Sequence, residues 1–229
     1  MTIQTKQCNR VNYGGTRAAT RYIVVHYTSN RGDTAKNNVD YFARENVGAS
    51  AHFFVDEKET WSSVPEAGVA WHCGAKSYRH PECRNSNALG VEICMNDKKG
   101  KVHQASIDRA ALLVRALMAK YDIPVDRVLR HYDVTGKHCP GPMVDDPALW
   151  TAFRAKLTQT EQEEKDDMRY KYYDDMPDWA QPTVKKLMDK GYLKGEGDGV
   201  LNLSEDTLKV LVVCDRAGQI GRASCRERV

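Results

Sequence analysis

The stretch VLRHYDVTGKHCPGP, residues 128–142, concentrates reactive side chains between a short apolar run and a Pro-Gly-Pro turn. It carries His131 and Cys139, and His26 ends another apolar run far upstream. Two imidazoles and a thiolate are good zinc ligands, and three protein ligands leave a fourth position open, as in catalytic sites. Spacing alone is weak evidence, because 105 residues separate His26 from His131. Two ordinary strand-end histidines and a buried thiol are the other interpretation.

Two charged residues could act beside such a metal. Glu92 interrupts the apolar run LGVEICM, where a carboxylate is costly unless it faces solvent, a cation or a cavity. If it faces a metal site it is the natural general base, whereas on an edge strand it would simply be exposed. Lys137, two residues before Cys139, could stabilise an oxyanion or could be a solvated loop lysine.

A further polar set consists of His52, Trp71, His72 and Asn87. His52 in SAHFF shares a strand face with Phe54, which favours a hydrogen-bonded core histidine over a metal ligand. Trp71 in VAWHCG could stack on a sugar or a peptide at a groove, or could pack in the core.

Strands and helices interleave up to about residue 157 and can position these side chains. RYIVVHYTS predicts a buried strand ending at His26, DRVLRH a strand ending at His131, and SAHFFVDEKETWSSV a hairpin. LGVEICM places Val91 and Ile93 on one strand face and Glu92 on the other. The pattern favours an α/β fold, with a mixed central β-sheet flanked by helices and a small helical C-terminal domain after it.

Capping residues in the sequence indicate where the helices begin and end. GDTAKNNVDYFAR predicts a short amphipathic helix, and SIDRAALLVRALMAKYDIP predicts a longer one with Ser106 as its N-cap. DDPALWTAFRAKL begins with an Asp cap and has Pro147 in its first turn. Near the C-terminus, Gly191 suits the C′ position of one helix and Ser204 the N-cap of the next.

The 229 residues are enough for one substantial domain and a small second one. We expect a main domain over residues 1–157, an acidic linker over 158–175 and a small helical domain over 176–219. Residues 220–229, IGRASCRERV, have no apolar periodicity and resemble a translated sequencing-adapter read-through; a genuine basic tail is the alternative.

Charge and apolar patterning narrow the class of partner. Residues 1–157 hold 22 Lys and Arg against 16 Asp and Glu, a mild excess that suits an anionic polymer such as a bacterial wall. The sequence has no stripe of alternating aromatic and basic residues, so this charge excess does not argue for a nucleic-acid partner.

No apolar stretch approaches a membrane span and the N-terminus lacks an apolar signal core, so we expect synthesis in the cytoplasm without membrane insertion. Reduced thiols are then the default, and a Cys73–Cys83 disulfide after release is the alternative.

Five motifs occur in an order that marks a family: VVHYT, SAHFFVDE, VAWHCG, NSNALGVEICMN and RHYDVTGKHCPGP. Over roughly residues 20–157 the chain resembles the zinc-dependent N-acetylmuramoyl-L-alanine amidases of the amidase-2 type. The likeness is greatest to prophage endolysins of Gram-positive bacteria, and peptidoglycan recognition proteins are more distant kin. The resemblance implies a Zn²⁺ cofactor held by His26, His131 and Cys139.

The resemblance also implies roles for the other polar residues. Glu92 would activate the attacking water, and Lys137 would steady the oxyanion. The groove for the muropeptide would be lined by Trp71, His72 and Asn87. Phage lysozyme-type relatives carry a catalytic tyrosine just before the HF histidine, where this chain has Ala51, and this departure puts more weight on Glu92.

The implied activity is a peptidoglycan hydrolase that cuts the amide bond between N-acetylmuramic acid and L-alanine of the stem peptide. Such an endolysin would act on the cell wall after release by a separate membrane-permeabilising protein. A non-catalytic peptidoglycan-binding protein on the same fold is the alternative, although such kin typically lack the cysteine ligand. A zinc-stabilised interaction domain is a third possibility, favoured if the metal had four protein ligands.

The C-terminal domain has a less specific resemblance. It resembles S-layer-homology helices, which bind wall polymers, in the stretch PDWAQPTVKKLMDKGYLKG.

Overall fold

The structure is a computed structural model that describes residues 2–159, 169–197 and 199–219. The chain divides into two compact units, residues 1–158 and 159–229. The predicted read-through segment, residues 220–229, lies outside the described residues, as do residues 160–168 of the predicted acidic linker.

The first unit contains the strands and helices that position the candidate site. Its strands are β1 (Gln4–Thr5), β2 (Tyr13–Thr16), β3 (Tyr22–Tyr27), β4 (Phe53–Val55), β5 (Thr60–Ser62), β6 (Gly68–Ala70), β7 (Ala88–Ile93) and β8 (Val128–Arg130). Its α-helices are α1 (Ala35–Arg44), α2 (Gln104–Tyr121), α3 (His131–Thr135), α4 (Gly141–Asp145) and α5 (Pro147–Thr158).

Across the described residues, six strands form one sheet in the order β1-β5-β4-β7-β3-β8. β3 is parallel to β7 on one side and to β8 on the other, and β4 is parallel to β7. β4 and β5 pair antiparallel, which confirms the predicted hairpin. β2 and β6 form a separate antiparallel pair. The mixed sheet expected from the sequence is therefore confirmed.

Apolar side chains on both faces of the central strands explain why helices cover the sheet on both sides. Val91 and Ile93 of β7 join the main core, which also contains buried residues of α2 and α5, and this confirms the alternation predicted for the strand. Val24, on the opposite face of β3, packs with Cys73, Cys83 and other buried residues.

The start of α2 differs from the sequence prediction. The helix begins at Gln104 with His103 as its N-cap, whereas Ser106 was expected at the cap. Val102 pairs with Asn96 in an isolated bridge and the His103 amide donates to the Met95 carbonyl, so the chain turns directly into the helix. Ser106 consequently lies within the first turn, fully buried, and its hydroxyl has no partner among the described residues.

The predicted start of α5 is confirmed. The Asp146 carboxylate accepts a hydrogen bond from the Ala148 amide at 2.9 Å, and Pro147 is the first residue of the helix. A proline is tolerated there because its missing N–H would have no partner within the helix.

The second unit is small and built around two helices, Gln181–Asp189 and Glu205–Arg216. Gly191 follows the first helix with a φ of 69°, and the Ser204 hydroxyl caps the second by accepting from Thr207, so both cap predictions are confirmed. Arg169–Tyr170 pairs with Leu203–Ser204 as a short antiparallel ladder, which makes these residues part of the unit rather than of a linker. None of the described helices has the length and apolar composition that a bilayer crossing requires.

Replacing Phe153 tests the contribution of α5 to the main core. Its ring is 1% exposed and stacks on Trp150. Phe153→Ala should lower the free energy of unfolding by about 3–5 kcal/mol, because it removes buried apolar surface and leaves a cavity. Thr151→Ala, on the exposed side of the same helix, should change it by less than about 0.5 kcal/mol. Urea unfolding of the full chain measures both, and equal effects would contradict this packing.

Candidate metal centre and active site

The parallel strands bring the candidate ligands together at one edge of the sheet. β3 and β7 are in parallel register, with His26 opposite Glu92. On the other side of β3, Val25 is opposite Arg130, and His131 is the next residue along the chain. Since carboxyl ends of parallel neighbours meet at one sheet edge, residues from three distant parts of the chain converge there.

Cys139 reaches the same place through the loop after α3. Its carbonyl accepts a hydrogen bond from the Tyr132 amide at 2.8 Å, and its side chain is 5% exposed. Its Sγ lies 3.8 Å from Nδ1 of His26. One donor atom from each of His26, His131 and Cys139 lies within 4.8 Å of the others.

The donor set fits a divalent metal of the zinc type. Burial, with smaller effects from neighbouring His72 and His131, lowers the pKa of His26 well below its ordinary value. Burial and the charge of Lys137 lower the pKa of His131 to about 4. Both rings are therefore neutral at pH 7, the form that binds metals, and Nδ1 of His131 is buried without a partner among the described residues.

The thiol of Cys139 completes the set. Burial raises its pKa to about 12, and the nearby Glu92 acts in the same direction. A cation at this position would favour the thiolate, because a metal ligand must be deprotonated.

His72 lies directly behind His26. Its Nδ1 is 3.0 Å from Nε2 of His26, and its own Nε2 is 3.4 Å from the carbonyl oxygen of Ala88. A hydrogen bond between Nε2 of His26 and Nδ1 of His72 fixes the orientation of the His26 ring, whose Nδ1 is turned toward Cys139. His72 also lines a groove at the site, so its contact with His26 adds to the groove role expected from the sequence.

Gly90 of β7 makes this approach possible. A Cβ atom at Gly90 would lie 2.6 Å from Cγ of the His72 ring. Only glycine leaves room for the ring against the strand at that distance.

Glu92 of β7 faces the cluster formed by His26, His131 and Cys139. Its Oε1 lies 4.0 Å from Nδ1 of His26, and its Oε2 is buried without a partner among the described residues. Burial raises the pKa of Glu92 to about 7, against the lowering effects of His72 and Lys137. A carboxyl group with a pKa near neutrality can both take up and return a proton.

Two grooves meet at Lys137. The first has a volume of about 680 Å³ and is lined by residues that include Asp33, Asn38, Glu92 and Cys139. The second has a volume of about 630 Å³ and is lined by residues that include Trp71, His72, Asn85 and His131. Lys137 is exposed and lines both, so the cluster lies where an extended ligand could occupy both grooves.

The remaining predicted residues occupy different positions. Trp71 is 37% exposed and lines the second groove. The side chain of Asn87 is engaged within its own loop, accepting from the Arg84 amide and donating to the Glu82 carbonyl. It lines neither groove. His52 is fully buried and accepts from the Gly90 amide at 2.9 Å, as expected for a hydrogen-bonded core histidine.

Asn85 and Asp33 are among the groove residues that were not identified from the sequence. Asn85 lines the second groove, and its Oδ1 accepts from the amides of His72 and Cys73. Asp33 lines the first groove, with one buried carboxylate oxygen lacking a partner in the described structure. NSN offers two equivalent asparagines and Asp33 sits in an ordinary polar loop, so no local signal distinguishes either residue.

The profile of the Amidase_2 family, described as N-acetylmuramoyl-L-alanine amidase, matches residues 16–142. This span is more than half of the chain and contains all the candidate site residues. The chain belongs to this family.

Curated relatives of this amidase domain come from Bacillus. N-acetylmuramoyl-L-alanine amidase CwlL of Bacillus licheniformis is 39% identical over 150 residues, covering 61% of this chain and 41% of the relative. N-acetylmuramoyl-L-alanine amidase BlyA of Bacillus subtilis is 34% identical over 147 residues, covering 58% and 40%. The chain thus spans about two fifths of the length of these relatives.

A solved structure shares the amidase fold. The catalytic domain of PlyG is 34% identical, with a TM-score of 0.60, and the match covers 69% of this chain and 93% of that domain. The catalytic domain of XlyA is 28% identical with a TM-score of 0.59.

Gly90→Ala tests the packing of the His72 ring against β7. The added methyl group should displace the ring and lower the free energy of unfolding by about 1–3 kcal/mol, as overpacking does. Gly15→Ala is the matched control, because a Cβ there meets nothing within 4 Å. Urea unfolding measures both variants. A Gly90→Ala protein as stable as Gly15→Ala would mean that the ring is not confined.

Proposed function

We propose that the chain is a peptidoglycan hydrolase, an N-acetylmuramoyl-L-alanine amidase of the phage endolysin type. The bond cut joins the lactyl group of N-acetylmuramic acid to L-alanine of the stem peptide. The observation that carries the proposal is the buried His26–His131–Cys139 cluster beside Glu92, within the segment that matches the amidase family.

His26, His131 and Cys139 would hold Zn²⁺. A zinc ion supplies Lewis-acid polarisation of the scissile carbonyl and lowers the pKa of water. Two neutral imidazoles and a thiolate are ligands that zinc prefers, and three protein ligands are typical of catalytic zinc.

Glu92 is the proposed general base. Its Oε2 has no hydrogen-bond partner among the described residues and would take the proton of the attacking water. The protonated carboxyl group then returns that proton to the departing amine of L-alanine, so one group serves both halves of the hydrolysis. Ala51 leaves no tyrosine hydroxyl at its position to share this work.

Lys137 is proposed to stabilise the negative charge that develops on the carbonyl oxygen. It is exposed at the junction of the two grooves, and its charge influences both Glu92 and His131. One donor of this kind is worth roughly 3 kcal/mol in the transition state.

The grooves suggest how a wall polymer would lie. Trp71, partly exposed in the second groove, offers a ring face to a sugar or a peptide, and His72 lines the same groove. Asn87, expected to bind substrate, is proposed to act by holding the loop that carries Asn85.

The other expected partners and roles remain proposals. The small C-terminal unit would bind wall polymer, and a separate membrane-permeabilising protein would give a cytoplasmic enzyme access to the wall. A non-catalytic recognition protein is the second candidate. The convergence of Cys139 with the two histidines favours the enzyme, because such proteins typically lack that ligand.

The activity is tested on purified cell walls. Incubation with the full chain should free amino groups identified as N-terminal L-alanine, and a chelator should abolish their appearance. Wall binding without new L-alanine amines would instead favour the recognition protein.

Removing one ligand tests the metal. Cys139→Ser should lower zinc affinity by at least about 10–100-fold, a loss that even supporting residues around metal sites produce. Competition with a chelating dye measures it. Cys214→Ser, in the second unit, is the matched control and should bind zinc like the parent. Unchanged affinity in Cys139→Ser would remove Cys139 from the ligand set.

Replacing Glu92 separates chemistry from metal binding. Glu92→Ala should reduce L-alanine release by at least about 100-fold while zinc content stays at the parent level, because the residue acts on the proton rather than on the metal. Glu45→Ala, at an exposed position, should keep full activity. Full activity in Glu92→Ala would exclude the proposed base.

A further inference from the structure

The wall of the second groove is formed by a segment without regular secondary structure. Residues 71–84, all of them described, form neither helix nor strand. Gly74, Ala75, Lys76 and Ser77 of this segment line the groove, and His72 at its start contacts His26. Interactions that hold this segment in place therefore also influence the shape of the groove and the position of His26, a candidate metal ligand.

Hydrogen bonds hold the segment at its start, in its middle and at its end. The Trp71 amide donates to the Ser50 hydroxyl at the start, and the Tyr22 hydroxyl donates to the Glu82 carboxylate near the end. The amides of Arg79 and His80 both donate to the Val134 carbonyl of α3, and Asn85 accepts from the segment's start. The amide of Cys83 donates to Nδ1 of the nearby His80 ring.

Cys73 and Cys83 lie at the two ends of the more exposed part of this segment, residues 74–82. Cys73 and Cys83 are both fully buried and belong to one apolar cluster, beneath the groove wall and against Val24 of β3. Both thiols are packed in this one cluster, and Sγ of Cys73 lies 3.2 Å from Oδ1 of Asn85. The remaining described cysteines of this unit lie elsewhere: Cys8 and Cys94 in other apolar clusters, and Cys139 in the metal-binding cluster.

We propose that Cys73 and Cys83 form a disulfide bond that closes the groove-wall segment. A small disulfide such as oxidised glutathione is the oxidant. One protein thiolate attacks it and releases one glutathione thiolate, and the second protein sulfur then displaces the other. Two protein thiols are oxidised by two electrons, and one small disulfide is reduced to two thiols.

The chemistry of the pair supports an order for these steps. The neighbouring Cys83 lowers the pKa of Cys73, whereas the pKa of Cys83 is raised by Cys73 and by burial. Cys73 therefore supplies the first thiolate. Because both sulfurs are buried, the segment must open for attack, and the reaction should be slower than modification of the partly exposed Cys214.

The timing of the bond rests on the proposed function. Peptidoglycan lies outside the cytosol, and disulfides persist in that environment. Inside the cytosol, reductants would keep both thiols free. The bond itself follows from the packing of the two cysteines and would be expected whatever the substrate.

The sequence allows a direct test. Trypsin cleaves after Lys58, Lys76, Arg79 and Arg84, so Cys73 and Cys83 end in separate peptides, residues 59–76 and 80–84. The zinc-loaded full chain is equilibrated in glutathione buffers from reducing to oxidising, alkylated under denaturing conditions, digested and analysed by mass spectrometry. We expect the two peptides to be joined in oxidising buffer and separately alkylated in reducing buffer.

A thermal melt provides the second measurement. Closing an 11-residue loop should raise Tm by roughly 5–10 °C in the oxidised protein relative to the reduced one. Cys83→Ser should show no such difference, and Cys8→Ser should keep it. Two alkylated thiols in the most oxidising buffer, or a bond from Cys73 to another cysteine, would overturn the proposal. The covalent readout does not depend on hydrolysis, so its failure is distinct from failure of the amidase activity.

Discussion

The parallel pairing of β3 with both β7 and β8 is the constraint on which the candidate site depends. It sets His26 opposite Glu92 and brings His131 to the same sheet edge immediately after β8. A slip of one residue in either pairing would turn alternate side chains to the other face of the sheet. The apolar residues Val25, Val91 and Ile93 resist such a slip, because it would take them out of the main core and turn polar neighbours such as Glu92 into it.

Burial has opposite consequences for the groups gathered at this edge. It disfavours charge on His26 and His131, which leaves both rings neutral and ready for a metal. The same desolvation raises the pKa of Glu92 to about 7, so its carboxyl group is poised to exchange a proton. One physical effect, burial, thus acts on both the candidate ligands and the proposed base.

Local patterns accounted for much of the first unit. Apolar runs located β3, β7 and β8, a turn-prone DEKE located the β4–β5 hairpin, and Asp146 with Pro147 located the start of α5. These signals are short-range, since they depend on alternation and on unsatisfied amides at helix starts. The prediction of Ser106 as an N-cap was wrong for the same reason. The long-range hydrogen bond from His103 to Met95 starts the helix earlier.

The sequence by itself determined the fold class and, through five motifs in order, singled out His26, His131, Cys139 and Glu92 as candidate site residues. Only the tertiary structure decided that His72 lies against His26, that Asn85 rather than Asn87 lines a groove, and that Cys73 and Cys83 share one buried cluster. The physical reason is that these contacts depend on how a segment without regular structure folds back on the sheet. Such a segment has no periodicity to read, and its side-chain partners are set by packing between residues distant in the sequence.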